Sequence, residues 1–111
     1  MGTLGRAREI VDLLEAQGVR ATLDPALASP PCILVVPPNL TFDLNCGVTG
    51  KWQLVAIAPA TNTADRATYE ILDDLLDGAA ESLPLETGDL VAYSLSGKTY
   101  PAYLISFTEA I

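Results

Sequence analysis

The stretch that decides the fold is Lys51-Trp52-Gln53-Leu54-Val55-Ala56-Ile57-Ala58. In an extended strand, successive side chains point to opposite faces. Trp52, Leu54 and Ala56 therefore share one face, and Val55 and Ile57 lie on the other. A strand with apolar side chains on both faces is typical of the centre of a sheet that is covered on both sides.

Other segments on both sides of this strand are predicted to be extended. Residues 32–36 form an apolar run between two Pro-Pro pairs, and we expect the prolines to end the strand at both ends. Four further segments are candidate strands: residues 19–23, 40–44, 90–95 and 100–107. Turns are expected over 24–31, 45–50, 83–88 and 96–98, and Pro101 places the last strand at an edge or at an irregular position.

Two segments have the apolar spacing of amphipathic helices. Residues 3–17 carry it through Ala7, Ile10, Val11 and Leu14, with Gly18 where a helix stop is expected. Residues 63–80 form the second helix, which Thr63 or Asp65 can cap. Its apolar face is formed by Ala64, Thr68, Leu72, Leu75 and Ala79, flanked by Ile71 and Leu76.

The order of these elements predicts an α+β fold. Most of the strands are joined by short connections, so the sheet should be mainly antiparallel, with both helices packed on one face and a β-hairpin at the C-terminus. The 111 residues fit a single domain, 1–111, and half of them are hydrophobic, which is ample for one core.

Composition excludes several classes of function. The net charge is −8, with only six lysine and arginine residues, which are scattered, so nucleic-acid and anionic-membrane binding are disfavoured. The N-terminus has no signal-peptide pattern and no apolar run is long enough to span a bilayer, which indicates a cytosolic chain. The chain has no histidine, the commonest general base and metal ligand, so we expect no enzyme, no cofactor and no metal site.

Two other features have plain structural interpretations. Cys32 and Cys46 are expected to be small buried or half-buried hydrophobes, because a disulfide is unusual without export and two thiols alone cannot complete a zinc site. Residues 92–99 loosely match a phosphate-binding loop, but a strand pattern follows where that loop requires a helix, so we interpret them as a hairpin turn.

Two surfaces are candidates for binding. The second helix carries five acidic residues on one face, which is either a solvated surface or a face kept negative toward a partner or a channel: Glu70, Asp73, Asp74, Asp77 and Glu81. The final hairpin is rich in aromatic and branched side chains on both faces, and a neighbouring subunit is one candidate to cover it. The predicted interface residues are Tyr100, Tyr103, Ile105 and Phe107.

The layout of the chain resembles the tail terminator proteins of long-tailed bacteriophages. The resemblance spans nearly the whole chain: the opening helix with residues 8–14, the proline-bounded strand 31–37, the strand 52–57, the helix with residues 72–77, and the closing hairpin with its tyrosines. It is a similarity of layout, without a short signature motif, so it transfers a role and no functional residues.

The resemblance implies a structural virion protein at the junction of tail and head, assembled in the host cytoplasm. Members of the family form a six-fold ring that caps the finished tail tube, stops its growth and offers a surface to the head–tail connector. The expected partners are therefore further copies of the chain, the tail tube protein and a connector protein. DNA would pass through the ring without specific binding. The final hairpin and the loop at 24–31 are the expected contact patches.

Three alternatives remain open at the sequence level. The first is another head–tail connector or tail-completion protein. The second is a small cytosolic protein-binding domain that recognises a basic partner. The third is an enzyme that works through carboxylates, for which Asp43, Asp73 and Asp77 are the candidates.

Overall fold

A computed structural model describes residues 3–24, 26, 28, 31–43, 47–59, 66–95 and 97–110. Their elements confirm the α+β class and its two helices. In chain order they are α1 (Thr3–Ala16), β1 (Ala21–Thr22), β2 (Cys32–Asp43), β3 (Gly47–Ile57), α2 (Arg66–Ser82), β4 (Thr87–Leu95) and β5 (Lys98–Ala110).

The strands form one five-stranded sheet in the order β1-β2-β3-β5-β4. Every neighbouring pair is antiparallel except β1 and β2, which run parallel. The central position of β3 confirms the prediction from its sequence. Trp52, Leu54 and Ala56 belong to one buried cluster and Val55 and Ile57 to a second cluster on the opposite face.

Both helices cover the same face of the sheet, as predicted. We call it the helix side. Helix α1 buries Ala7, Ile10 and Leu14, and α2 buries Leu75 and Ala79, each through the expected helical spacing. Strands β2, β3 and β5 contribute seven buried side chains to this core: Ile33, Val35, Trp52, Leu54, Ala56, Ile105 and Phe107.

Gly18 ends α1, as predicted. Its φ of +80° lies in the left-handed region, which glycine adopts without a side-chain clash. The Gly18 amide donates to the Glu15 carbonyl at 2.9 Å and the Val19 amide donates to the Leu14 carbonyl at 3.0 Å. These bonds satisfy two carbonyls at the helix end and turn the chain toward β1.

The predicted break at Pro37-Pro38 is wrong. Strand β2 continues through the proline pair to Asp43, with a register shift that places two residues opposite Trp52. Such a bulge interrupts the ladder on the β3 side. On its other side β2 pairs only through Ile33 and Leu34, so the prolines remove no ladder hydrogen bond there.

Two predicted turns are shorter than expected because the strands extend into polar sequence. Strand β3 starts at Gly47, so residues 47–50 are strand, and 44–46 lie outside the described part of the chain. Strand β4 starts at Thr87, inside the predicted connection 83–88. Backbone pairing needs no apolar side chain, so alternation of hydrophobic residues does not mark these ends.

Of the two positions expected for Pro101, an edge strand or an irregular position, the structure excludes the edge. Strand β5 lies between β3 and β4, and Pro101 pairs with Ala92 of β4. The last residue of β3 in register with β5 is Ile57, opposite Ala102, and the Ala58 amide donates to the Pro101 carbonyl at 3.0 Å. In a strand, the nitrogen and the carbonyl of one residue point toward the same neighbouring strand. The Pro101 nitrogen therefore points toward β3, at the position where the pairing of β3 with β5 ends.

The C-terminal hairpin confirms the interpretation of residues 92–99. Leu95 pairs with Lys98, which leaves a two-residue turn, and Gly97 has a φ of +81°. A strand then follows instead of a helix, so no helix N-terminus is available to hold a phosphate.

Candidate functional site

The five predicted acidic residues of α2 do share one exposed face. Glu70, Asp73, Asp74, Asp77 and Glu81 are all exposed, while Leu72, Leu75 and Ala79 of the same helix are buried. We call this set the acidic face. Asp73 and Asp77 therefore face solvent, and the side chain of Asp43 lies outside the described part, so a shared site of these three carboxylates stays a prediction.

Two of the four predicted interface residues are core residues, which corrects the prediction. Phe107 is fully buried and Ile105 is 2% exposed, both on the helix side. The Phe107 ring stacks on Trp52, with ring centroids 6.5 Å apart and an interplanar angle of 16°. These side chains are buried because β5 is an inner strand beneath the helices, where no neighbouring subunit can contact them.

Tyr100 and Tyr103 remain accessible, on opposite faces of the sheet. Tyr103 lies at the margin of the helix-side core and pairs across strands with Leu90, which is 68% exposed. Tyr100 pairs with Tyr93 on the other face. Cross-strand partners share a face and contact each other, so each tyrosine belongs to a different surface.

The second apolar cluster lies on the face without helices, which we call the rear face. Its buried residues are Cys32, Leu34, Val55, Ile57 and Ala102. The half-buried side chains around them are Val36, Val91, Tyr93, Tyr100, Leu104 and, from the loop before β2, Ala28. Burial of Cys32 confirms its prediction as a small hydrophobe, and Cys46 lies outside the described residues.

Sequence reasoning missed a two-stranded arm. We define the arm as residues 42–43 of β2 with residues 47–48 of β3. The last residue of β3 that pairs with β5 is Thr49, opposite Ala110, so beyond it, in the described part of the chain, β2 and β3 pair only with each other. Phe42 on this arm is 67% exposed. The alternation of Leu40, Thr41 and Phe42 predicts a strand, but it does not show that the pairing of β3 with β5 ends just before the position of Phe42.

An apolar cavity of about 280 Å³ lies beside the proline bulge of β2. We call it the α1 cavity. It is lined by one end of α1, the chain after β1, the proline bulge and the indole ring of β3: Thr3, Leu4, Ala7, Leu23, Val35, Val36, Pro37, Pro38 and Trp52. Leu4 is 59% exposed, and the buried Trp52 Nε1 has no hydrogen-bond partner among the described residues.

An ion pair fixes α1 beside this cavity. The Arg6 Nε and Nη2 atoms donate to the two carboxylate oxygens of Glu109 at 2.8 and 3.0 Å, and Nη1 donates to Glu9 at 3.1 Å. The pKa of Arg6 is raised above its ordinary value, chiefly by the hydrogen bond to Glu109 and, to a smaller extent, by Glu9. The pairing is bidentate, so it sets the orientation of the helix as well as its position.

The predicted contact loop at 24–31 is described only in part. Within it, the Asp24 amide donates to the Thr22 hydroxyl oxygen at 3.1 Å, and the Ala26 amide donates to Asp24 Oδ1 at 2.9 Å. These bonds form a local polar turn just after β1. Residues 25, 27, 29 and 30 lie outside the described ranges, so its role as a contact patch stays a prediction.

The described ranges contain no group of three or more His, Cys, Asp or Glu side chains placed to bind a metal ion. Neither helix there is both long enough and apolar enough to cross a bilayer. Comparisons of the chain with protein-family models, with curated proteins and with solved structures gave no match.

Proposed function

We propose that this chain is a structural subunit that assembles into a closed ring and caps a bacteriophage tail tube. The observation that carries the proposal is the arm, which presents Phe42 to solvent at 67% exposure. The molecule is elongated, measuring 50 × 28 × 23 Å. A projecting apolar element on one part of a subunit, and a separate apolar cavity on another, are the two unlike patches that a head-to-tail contact requires.

The acidic face supports the same proposal. Its five exposed carboxylates lie on α2, which is not part of the arm. A negative surface repels the DNA backbone, so it suits the wall of a passage through which DNA must slide without binding. The resemblance in sequence layout supplies the six-fold symmetry and the tail tube as the partner. A head–tail connector or tail-completion protein would use the same features.

A small binding domain is the second candidate, and the acidic face is the observation that favours it. Such a domain would bind a basic partner through these carboxylates and would not self-assemble. Because exposed charges are screened beyond roughly 8 Å at physiological ionic strength, its complex would weaken steeply as salt is added.

The test is the mass of the purified protein by light scattering across a concentration series, with negative-stain imaging of the same samples. It is measured alone and with polymerising tail tube protein. We expect rings of about six times the chain mass of 11.7 kDa, and tubes that stop growing at a ring-capped end. An acidic monomeric protein of similar size is the control for non-specific effects on the tube.

A subunit that stays monomeric in both samples and leaves tube growth unchanged would contradict the proposal. Salt-sensitive binding of a basic protein by that monomer would favour the second candidate. Rings that bind a connector protein but do not arrest tube growth would move the function to the connector side of the same junction.

A further inference from the structure

We infer that the free edge of β4 is a self-pairing surface: β4 of a second copy pairs with it antiparallel across a two-fold axis and joins the two sheets into one. The contact is centred on Val91 of both copies. It goes beyond the proposed function, because a two-fold pair closes on itself and does not depend on the contacts that close a ring.

The outer edge of β4 carries unpaired backbone groups. Strand β4 is the last in the sheet order, beside β5. The Ala58 amide donates to the Pro101 carbonyl, so Pro101 faces β3, and its cross-strand partner Ala92 faces away from β5. Because this direction alternates along a strand, every second residue of β4 directs its amide and carbonyl outward. These residues are Gly88, Leu90, Ala92 and Ser94, and all four are exposed.

The two edges of the sheet differ in how they are protected. Proteins protect sheet edges with very short strands, prolines, bulges or lysines. At the opposite edge, β1 has two residues, and the part of β2 beyond it carries a bulge with Pro37 and Pro38. Strand β4 has nine residues, no proline, no lysine and no register shift against β5. Within the described residues, β4 is therefore the long edge without such protection.

A second copy of β4 fits this edge because the strand is complementary to itself. Antiparallel pairing about Val91 overlaps all nine residues and gives every outward residue a partner, Leu90 with Ala92 and Gly88 with Ser94 of the other copy. Each such pair exchanges both of its hydrogen bonds, about eight in total. A shift of the register by two residues in either direction loses one of the four residue pairs.

The side chains near the two-fold axis are apolar on both faces of the sheet. Leu90, 68% exposed, lies opposite Ala92 of the other copy, with the second Leu90 as its diagonal neighbour on the same face. On the rear face, Val91 lies directly opposite the second Val91. Pairing therefore covers the exposed leucine and extends the apolar cluster of the rear face, to which Val91 and Tyr93 belong, across the junction.

Charge agrees with this register. Asp89 is the one charged residue of β4 and lies opposite Tyr93 of the other copy, while the two Asp89 residues are four positions apart, about 13 Å along the strands. Like charges directly opposite each other would destabilise the pair. The net charge of −8 on each copy opposes association, so the pairing strengthens as salt is added. Binding of a basic partner has the opposite salt dependence.

The first experiment measures self-association by light scattering across a concentration series, at 0.15 M and at 1 M salt. We expect the mass of the unaltered chain to rise toward twice 11.7 kDa, at lower protein concentration in 1 M salt. Leu90→Lys should weaken this association about tenfold, because it places a charge beside the two-fold axis.

Leu4→Lys is the matched control for Leu90→Lys. Leu4 lies on α1 and is 59% exposed, so the two variants share the residue type, the substitution and the change in net charge. Its association should change less than about twofold. Circular dichroism checks that both variants are folded.

Disulfide cross-linking tests the register. In chains that also carry Cys46→Ser, Val91→Cys lies opposite itself in a non-hydrogen-bonded pair, where a Cα separation of about 4.5 Å permits a disulfide. Oxidation should therefore give a covalent dimer. Asp89→Cys alone should give far less, whereas its mixture with Tyr93→Cys should give a covalent heterodimer.

Equal association of Leu90→Lys and Leu4→Lys, or no covalent dimer of Val91→Cys, would overturn the inference. A chain that stays monomeric alone and loses tube-protein binding in Leu90→Lys would also overturn it, and would assign the edge to a strand of that protein. The proposed function fails separately. Two-fold pairs that never cap a tube would support the inference and contradict that function, and tube-capping rings that Leu90→Lys leaves unchanged, without two-fold pairs, would do the reverse.

Discussion

Phe42 and Phe107 are the same residue type in opposite environments. Phe107 is fully buried and stacked on Trp52, whereas Phe42 stands on the arm at 67% exposure. Both occupy strands with alternating apolar residues, so the local pattern is alike. The difference comes from what lies above each ring: helices cover Phe107, and no described element covers Phe42.

Phe107→Ala should lower the free energy of unfolding by about 3–5 kcal/mol, because it removes a buried ring and leaves a cavity beside Trp52. Urea denaturation of the monomer, followed by circular dichroism, measures it. Phe42→Ala is the control and should change the same quantity by less than about 0.5 kcal/mol. Equal losses for the two variants would contradict the burial assigned to them.

At the scale of elements, Gly78 is a helix residue whose size is limited by contact with a neighbouring segment. The sequence predicts only that it weakens the end of α2. In the structure, a Cβ atom at Gly78 would overlap Val19 Cγ2, just after the end of α1. Val19 is buried, 7% exposed, so its short branched side chain has little room to move. Gly78 therefore permits close approach of α2 to the connection between α1 and β1.

Gly78→Ala should destabilise the protein by about 1–3 kcal/mol, because the overlap outweighs the gain of roughly 1 kcal/mol that alanine brings in a helix. Val19→Ala should relieve the overlap. The double variant Gly78→Ala with Val19→Ala should then be clearly more stable than the sum of the two single changes predicts. Thermal or urea denaturation of the unaltered chain, the two single variants and the double variant measures these effects. Additive effects of the two substitutions would contradict the contact between Gly78 and Val19.

The proline pair of β2, Pro37 and Pro38, shows that a strand can continue through residues that lack an amide donor. Sequence reasoning ends the strand at Pro37, since proline lacks an amide donor. The structure continues the strand because a bulge lies opposite Trp52 and the outer edge of β2 is unpaired at that point. Two prolines also protect that edge from pairing with another chain, and they form one wall of the α1 cavity.

At the scale of the whole molecule, charge is distributed unevenly. The acidic face concentrates five carboxylates on α2 in a chain of net charge −8, and like charges three or four residues apart repel one another along a helix. Helix stability alone therefore does not favour this arrangement.

Asp73→Asn combined with Asp77→Asn should raise the melting temperature by roughly 2–4 °C at low salt, because it relieves repulsion along the acidic face. The gain should shrink at 1 M salt, where screening acts over about 3 Å. Glu109→Gln on β5 is the control: the Glu109 carboxylate accepts two hydrogen bonds from Arg6, so removing its charge should not stabilise. A lower melting temperature for the α2 variant would show that these carboxylates have stabilising partners instead.

The sequence by itself determined the two helices, the central strand and the faces that these three elements bury. The periodicities of residues 3–17 and 51–58, and the acidic spacing on α2, are local, and the physical chemistry behind them acts within a few residues. The α+β class, the central position of β3, the stop at Gly18 and the final hairpin followed from them.

Only the tertiary structure decided which strand lies beside which. The position of β5 between β3 and β4 buries Phe107 and Ile105, and its pairing with β3 ends at Thr49, which leaves the arm with two strands. The α1 cavity likewise combines residues from α1, β2 and β3. Strand order depends on contacts between residues far apart in the chain, and local periodicity contains no information about them.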